Sequence, residues 1–349
     1  MHIEEIAQSF VLLEEGHPDA FAEMSRAVFA FQRRESDVYR RFCGDVYWDD
    51  WRSAPPLPVR AFKQRIVSTF PPEEAEAVFR SSATGSGERG VHHVRSLEVY
   101  HRSAEAQFDA VFGPGPHTIL GHLPGYSDLG RESSLVHMVD HLIGRFGTPQ
   151  SGLFLQDLTL LERGIQHARA SSTRLILFGA AFGLLDLLDQ GAFPLPAGSI
   201  VIETGGMKTR RRHVSRRKLH QQLAEGFSVP LPSVYSEYGM CELLSQCYTR
   251  GGVHFFPPPW LRFRILDPAN PSCELPPGEP GVLAVFDLAN LYTVSSLLTE
   301  DLAVQRGRGF EVLGRLTGAE LRGCNFLLET ALGRDPLAAT SDLGRAREA

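Results

Sequence analysis

Residues 77–90 read AVFRSSATGSGERG, in which a short strand pattern, Ala77–Arg80, runs directly into a segment of serine, threonine and glycine. A strand followed by such a loop is typical of sites where backbone N–H groups and hydroxyl groups surround a phosphate. The loop lacks the GxxxxGK[ST] spacing of a Walker loop and the GxGxxG spacing of a dinucleotide-binding fold. A flexible hairpin or linker has the same composition, so the loop alone leaves both interpretations open.

From this loop onward, strand and helix patterns alternate along the chain. Strands are predicted at 117–121, 173–178 and 198–203, and helices at 134–146, 183–190 and 213–225. This alternation predicts an α/β domain in which helices cover a largely parallel sheet. Residues 1–45 have apolar residues at helical spacing, which predicts helices before the domain. Beyond residue 250, short strand patterns separated by proline and glycine predict a smaller β subdomain, with strands at 261–266 and 282–286.

The composition narrows the classes of protein that the sequence can encode. The 349 residues are 43% hydrophobic and 22% charged, which indicates a globular core rather than a disordered or fibrous chain. With 41 acidic and 35 basic residues the net charge is −6, so we expect no general nucleic-acid binding. The basic run at 208–218 is interpreted as a solvated helix face or a surface that docks a partner.

Targeting and cysteine patterns point to one compartment. The longest apolar run, 175–185, is shorter than the about 20 residues that cross a bilayer, so no membrane span is predicted. The N-terminus has neither the basic start nor the apolar segment of a secretory signal. Five scattered cysteines form no CxxC pair and indicate reduced thiols rather than a zinc site. We therefore expect a cytoplasmic protein.

Two further strand patterns end in residues that suit a nucleotide. Residues 200–206, IVIETGG, end in a glycine turn, and residues 233–242, SVYSEYGMCE, combine an aromatic ring, a glycine and a carboxylate. In α/β sheets, ligands bind at the carboxyl ends of the strands. The ring of Tyr238 can stack on a base, and the carboxylate of Glu242 can hold Mg²⁺ near phosphates.

Two charged residues near the end of the chain are the last candidates for binding a nucleotide. Asp301, in the segment LTEDL, can accept hydrogen bonds from ribose hydroxyl groups. Arg315, after Gly314, can donate two parallel hydrogen bonds to a phosphate or a sugar. Each piece alone is also explained by ordinary turn chemistry, and their order along the chain is the stronger signal.

Taken together, these segments resemble the adenylate-forming enzymes, and most closely the acyl-protein synthetases of bacterial luminescence operons, the LuxE family. The resemblance spans about residues 75–328 and is carried by SSATGSGERG, ETGGMKTR, YSEYGMCE, LLTEDLA and GRLTGAELRGC. It implies an adenylate-forming α/β domain over residues 1–315, which includes the β subdomain at about 250–315. A short C-terminal remnant, 316–349, stands where larger relatives have a lid domain, so the lid is expected to be truncated.

The resemblance also implies a reaction in two steps with ATP and Mg²⁺ as cofactors. A carboxylic acid, expected to be a fatty acid, attacks ATP to give an acyl adenylate and pyrophosphate. The acyl group then passes to a cysteine thiol and on to a partner protein similar to an acyl-CoA reductase. Cys324 is nominated because it is the only cysteine near the C-terminus, where the family places its acyl-accepting thiol. A small buried residue after a glycine turn is the alternative interpretation of Cys324.

Carried over by position, the resemblance assigns residues to each part of the nucleotide. The pyrophosphate end of ATP falls to the loop residues Ser81, Ser82, Thr84, Gly85 and Ser86. The adenine is framed by Gly205, Gly206, Tyr238 and Gly239, the magnesium ion is held by Glu242, and the ribose is bound by Asp301 and Arg315. We expect all of these segments to meet in one pocket.

The sequence departs from the family pattern in the loop and at the C-terminal end. The usual Thr-Thr-Gly of the loop is replaced here by Ala83, Thr84 and Gly85. Larger relatives carry a lysine in the lid, whereas the 34 residues after Arg315 contain none. The candidates to supply that positive charge are Lys208, Arg210 and Arg89.

Two interpretations besides the acyl-protein synthetase stay open. The same fold could pass the adenylate to coenzyme A or to an amine. The altered loop and the absent lysine also fit a catalytically weak, nucleotide-binding subunit. His137 and His141, one helical turn apart, could bind a metal, although surface or pocket-lining histidines are the favoured interpretation because no third ligand is evident.

Overall fold

A computed structural model of the chain describes residues 2–14, 17–46, 48–81, 89–124, 130, 132–205 and 215–316. The chain divides into two compact units. The first comprises Met1–Val78, Glu88–Ser96 and Pro259–Ala349, and the second comprises Phe79–Gly87 and Leu97–Pro258.

The helices and strands of the described residues are numbered along the chain. The helices are α1 (Ile3–Ser9), α2 (Pro18–Glu35), α3 (Asp37–Cys43), α4 (Ala61–Gln64), α5 (Leu97–Phe112), α6 (Ser134–Phe146), α7 (Thr159–Ser171), α8 (Ala181–Asp189) and α9 (Arg216–Gly226). The strands are β1 (Leu57–Pro58), β2 (Ala77–Arg80), β3 (Val91–Val94), β4 (Thr118–His122), β5 (Gly152–Phe154), β6 (Leu175–Ala180), β7 (Ile200–Thr204), β8 (Val234–Tyr238), β9 (Cys247–Thr249), β10 (Phe255–Phe256), β11 (Leu261–Leu266), β12 (Pro280–Asp287), β13 (Ser296–Arg306) and β14 (Gly309–Arg315).

The first unit is built on an antiparallel sheet with the order β11-β12-β13-β14, to which β1 adds in parallel beside β13. Helix α2 begins at Pro18, whose fixed φ angle and missing N–H suit a first helical turn. The buried side chain of Gln32 in α2 donates to the carbonyl groups of Asn290 and Leu291 at 2.9 and 3.0 Å. These bonds attach the helix to the connection between β12 and β13.

The second unit is a sheet with the order β10-β9-β8-β7-β6-β4-β5. The strands from β8 to β5 are parallel, while β9 and β10 run antiparallel to their neighbours. Helices α7, α8 and α9 cover a core of buried aliphatic side chains from β4, β6, β7 and β8, with Leu120, Leu177, Val201 and Val234 at its centre. This arrangement confirms the predicted α/β class with a largely parallel sheet.

Several predicted elements occur at or close to their expected bounds. Helix α6 and strand β11 match the predictions, and α6 begins where the Ser133 hydroxyl accepts from the Val136 N–H at 3.3 Å. Helices α5 and α7 were not predicted. Among the described residues, no helix combines the length and the apolar character that crossing a bilayer requires.

Candidate active site

The carboxyl ends of β7 and β8 lie side by side in the second unit. Their register pairs Glu203 with Ser236 and Thr204 with Glu237, so the residues that follow these two strands emerge at the same edge of the sheet. Gly205 follows β7 with a φ of 94°, a left-handed conformation that a residue without a side chain adopts at little cost. The turn predicted from the Thr-Gly-Gly pattern therefore begins where expected.

Strand β8 brings three more predicted residues to this edge. Tyr238 is its last residue and is half-buried, and Gly239 begins the connection to β9. Glu242 lies in the same connection and is buried. The structure thus brings Gly205, Tyr238, Gly239 and Glu242 into one region of the second unit.

Glu237, which the sequence reasoning did not single out, is a buried acid in this region. Its carboxylate accepts a short hydrogen bond from the Thr204 hydroxyl across the two strands. Burial raises its pKa from 4.5 to about 7; the Thr204 bond opposes that rise and the Glu203 carboxylate adds to it. A carboxylate inside a predicted strand was the signal available in the sequence, because such a group needs a specific partner where the strand is buried.

A second buried cluster, which was also missed, lies one residue pair earlier on the same two strands. The Ser236 hydroxyl donates to Oε1 of Glu203 in a short bond and lies 2.9 Å from Nε2 of His220. The same His220 nitrogen is 3.3 Å from Oε1 of Glu203, and Nε of Arg216 is 3.6 Å from that oxygen. Ser236, His220 and Glu203 are almost fully buried, so this cluster joins α9 to the ends of β7 and β8.

The ring of Tyr238 packs against a second aromatic ring. Its centroid lies 5.6 Å from that of Phe255 in β10, at an interplanar angle of 55°. The guanidinium carbon of Arg216 lies 4.8 Å from the centre of the Phe255 ring, a cation–π distance. The proposed adenine-stacking residue therefore packs against Phe255, which in turn contacts Arg216.

The first unit contains the other predicted pair, Asp301 and Arg315. They are cross-strand partners in the register of β13 and β14, and Nε of Arg315 lies 3.3 Å from Oδ1 of Asp301. Asp301 is largely buried, whereas the Arg315 side chain is 45% exposed. Glu300 beside them is 3.1 Å from Nη2 of Arg60. The pairing keeps one buried carboxylate and one accessible guanidinium together at the end of β14.

Several predicted residues fall outside the described residues. Ser81 follows β2 and is half-buried, whereas the rest of the predicted phosphate loop is not described. The undescribed candidates are Ser82, Thr84, Gly85, Ser86, Gly206, Lys208, Arg210 and Cys324. Their roles stay predictions.

The two histidines considered for a metal contact a third histidine. Nε2 of His137 lies 2.9 Å from Nε2 of His101 in α5, while His141 lies 2.7 Å from Oε1 of Glu105. The rings of His101 and His141 are parallel, with centroids 3.6 Å apart. Among the described residues, no group of three or more His, Cys, Asp or Glu side chains is arranged to hold a metal ion.

Comparison with known proteins identifies the family. Residues 154–333, more than half of the chain, match the family model of the acyl-protein synthetase LuxE. The chain belongs to this family. The chain is also 22% identical to the long-chain-fatty-acid–luciferin-component ligase of Vibrio harveyi, in an alignment that covers 89% of this chain and 87% of that protein. The family and the ligase type predicted from the sequence motifs are thereby confirmed.

Solved structures agree on the fold of the synthetase. A 2-hydroxyisobutyryl-CoA ligase in an open conformation with 2-HIB-AMP and CoA gives a TM-score of 0.63 at 12% identity, over 85% of this chain and 69% of that chain. The same ligase in its postadenylation state with 2-HIB-AMP gives 0.64 at 12% identity, over 85% of this chain and 67% of that chain. This similarity confirms the predicted adenylate-forming fold.

Proposed function

We propose that this synthetase uses ATP to activate a carboxylic acid, a fatty acid above all, and transfers the acyl group to the thiol of Cys324. The observation that carries the proposal is the shared edge of β7 and β8. There a glycine turn, the Tyr238 ring and the Glu242 carboxylate follow neighbouring parallel strands inside the region that matches the family. The Vibrio harveyi relative, named for a long-chain fatty acid, supports the substrate class.

In the first step, a carboxylate oxygen of the acid attacks the α-phosphorus of ATP. The bond from that phosphorus to the oxygen bridging to the β-phosphate breaks, and pyrophosphate leaves with the electron pair. The product is a mixed anhydride of the acid and AMP. We assign the adenine to the Gly205 turn and the Tyr238 ring, and the pyrophosphate end to the hydroxyl and glycine residues that begin at Ser81.

Glu242 suits a magnesium ion that ATP brings. Magnesium is commonly held by one or two carboxylates together with substrate phosphates, so a single carboxylate meets the need. Glu242 is a buried carboxylate in the β8–β9 connection, and the described residues hold no larger ligand cluster that would compete with it. The ion would neutralise phosphate charge, and Glu242 would fix its place.

Asp301 and Arg315 are proposed to bind the ribose. Asp301 is a largely buried carboxylate beside Arg315, and a carboxylate accepts hydrogen bonds from hydroxyl groups such as those of ribose. Arg315 keeps its guanidinium accessible and can donate to the sugar or to a phosphate. Lys208 is proposed to supply the positive charge that the lid lysine supplies in larger relatives.

In the second step, the Cys324 thiolate attacks the carbonyl carbon of the anhydride, and AMP leaves. The thiol must first lose its proton, and a free thiol has a pKa of about 8.5, so nearby arginines such as Arg315 or Arg322 would favour the reaction. The acyl group then passes from this thioester to a partner protein. The described cysteines are free thiols, which supports a cytoplasmic setting.

Acid-dependent exchange of labelled pyrophosphate into ATP tests the first step. We expect exchange only when a carboxylic acid is present, with a panel of acids of increasing chain length showing the preferred substrate. Glu242→Gln, which keeps the size of the buried side chain, should lower exchange by about tenfold or more. Glu225→Gln, on the exposed face of α9, is the control and should exchange like the wild type.

Two outcomes would contradict the proposal: no exchange with any acid, or full exchange by Glu242→Gln. Release of a free acyl-CoA on addition of coenzyme A would instead favour a ligase that needs no Cys324. Binding of ATP without acid-dependent pyrophosphate release would favour a binding subunit.

A further inference from the structure

We propose that Arg216 is a positioning residue that sets the adenine-binding slot of the synthetase, an inference that rests on the proposed function. The slot is formed by the Gly205 turn and the Tyr238 ring, and the Arg216 guanidinium contacts a residue associated with each. It pairs with Glu203, two residues before the Gly205 turn, and it packs on Phe255, which supports Tyr238.

The position of Arg216 is unfavourable for its own helix. It is the first residue of α9, whose first turn contains no acidic residue and begins Arg-Arg-Lys. The partial positive charge at a helix N-terminus disfavours cations there. A sequence that breaks a local rule in this way usually gains an interaction elsewhere, and for Arg216 that gain is the contact with Glu203 and Phe255.

The buried carboxylate of Glu203 needs a positive charge close to it, and the Arg216 guanidinium provides one. Its side chain is 4% exposed, and a carboxylate buried to this degree needs charge compensation and hydrogen bonds. The Ser236 hydroxyl and the His220 ring supply hydrogen bonds, and Arg216 supplies the formal charge. Because Glu203 lies in β7, this ion pair fixes the position of the end of β7, and of the Gly205 turn that follows, relative to α9.

Phe255 connects Arg216 to the Tyr238 ring, which forms the other side of the adenine slot. The Phe255 ring is almost fully buried, and it contacts both the guanidinium of Arg216 and the ring of Tyr238. The planar guanidinium covers the Phe255 ring, so Phe255 cannot turn away without losing the cation–π contact. Tyr238 is thereby held in one orientation, which a stacking partner of adenine requires.

The consequence is a selective effect on the nucleotide. Loss of Arg216 should loosen the adenine slot while leaving the acid and the pyrophosphate contacts unchanged. In pyrophosphate exchange, we expect Arg216→Gln to raise the KM for ATP by about tenfold and to reduce the preference for ATP over GTP, with little change in kcat or in the KM for the acid. A merely structural role would lower the amount of active enzyme without this split.

Four further variants separate the charge from the ring contact. Arg217→Gln, at the exposed neighbouring position of α9, is the matched control and should behave like the wild type. Glu203→Gln combined with Arg216→Gln leaves no buried charge unpaired, and it should recover stability while keeping the raised KM for ATP. Phe255→Leu should raise that KM as well, and the combination of Phe255→Leu with Arg216→Gln should add little further.

Direct binding of ATP and GTP by calorimetry distinguishes failure of this inference from failure of the proposed function. If the wild type binds ATP without exchange, a weaker ATP affinity of Arg216→Gln still supports the positioning role. An unchanged affinity and unchanged ATP preference in Arg216→Gln would overturn the inference while the function stands. Wild-type protein that neither exchanges nor binds ATP would overturn both.

Discussion

Gly239 shows how closely the turn after β8 is packed. A Cβ atom at this position would collide with Oε1 of Glu237, so an added methyl group must displace the buried carboxyl from the Thr204 hydroxyl. We expect Gly239→Ala to lower the free energy of unfolding by roughly 1–3 kcal/mol, measured by urea denaturation. Gly144→Ala in α6 adds the same methyl group into open space, and it should be neutral or stabilising by up to about 1 kcal/mol. Equal effects of the two substitutions would contradict this account.

Glu237 makes the stability of the protein depend on pH. Burial raises the pKa of its carboxyl from 4.5 to about 7, so between these values the folded protein holds a proton that the unfolded chain has released. At Glu237 the folded state binds more protons, so the contribution of this group to the free energy of unfolding falls as the pH rises from 4.5 to 7. Glu237→Gln keeps an acceptor for Thr204 and removes the titration.

The measurement is a set of denaturant midpoints between pH 4.5 and pH 8. The falling contribution of Glu237 to the free energy of unfolding should disappear in Glu237→Gln. It should persist in Glu225→Gln, in which an exposed carboxyl is removed. A wild-type slope retained in Glu237→Gln would show that another group titrates.

The residues of the candidate site were predictable to different degrees. Gly205, Tyr238 and Glu242 follow strands in recognisable motifs, so local sequence placed them at the carboxyl edge of the sheet. The cluster around Glu203 joins residues that are distant in sequence, and only the packing of α9 against the strands brings Arg216 to that carboxylate. Spacing along the chain carries no information on such a contact.

The contact between α5 and α6 contains a stack of imidazole rings that should weaken the protein in acid. Burial lowers the pKa of His101 from 6.5 to about 4; the neighbouring His141 and His137 lower it further, while Glu105 opposes them. Burial also lowers the pKa of His137, with Asp140 acting in the opposite direction. Between pH 4 and 6.5 these histidines bind more protons in the unfolded chain, so their contribution to the free energy of unfolding rises with pH.

His101→Gln should therefore flatten the rise in stability between pH 4 and 6.5, as seen in thermal or urea unfolding. This slope opposes that of Glu237 in the same window, so the wild type should show a partial cancellation. His101→Gln should expose the falling slope of Glu237, and Glu237→Gln should expose the rising slope of the histidines. His17→Gln, at an exposed residue before α2, is the control. Parallel profiles for wild type and His101→Gln would rule out the stack as the cause.

The elements that sequence analysis missed have polar or small residues on their buried faces. Helix α5 buries Ser103 and Gln107 among its apolar residues, which interrupts the helical spacing of hydrophobic side chains. Helix α7 buries Gly164 against the side chain of Leu120. Helix α6 has an unbroken apolar stripe and a serine cap, and it was predicted with the bounds that the structure shows. Periodicity therefore finds helices whose buried face is uniformly apolar.

At the scale of the whole molecule, the candidate residues are divided between the two units. The second unit holds Ser81, Gly205, Tyr238 and Glu242, and the first holds Asp301 and Arg315. The cross-strand pairing of Asp301 with Arg315 depends on the register of β13 and β14, which contains a bulge between Leu302 and Ala303. Sequence motifs found both residues, but a bulge that shifts the register is not visible in the motif.

The proposed acyl-transfer step is considered at the scale of the whole chain, because several cysteines are candidates to receive the activated acid. Burial raises the pKa of Cys43 to about 12, so its thiol stays protonated at neutral pH and is a poor nucleophile. Cys241 and Cys247 are buried, whereas Cys273 is exposed. Among the described cysteines, Cys273 is therefore the accessible competitor of Cys324.

Labelled acid and ATP should leave a covalent label on the protein that neutral hydroxylamine removes, as expected for a thioester. Cys324→Ser should lose this label but keep acid-dependent pyrophosphate exchange, because adenylation precedes transfer and does not need the thiol. Cys273→Ser should retain both. A label that survives in Cys324→Ser and disappears in Cys273→Ser would move the acyl site to the exposed thiol. The absence of any protein label, together with active exchange, would show that the adenylate is passed directly to an external acceptor.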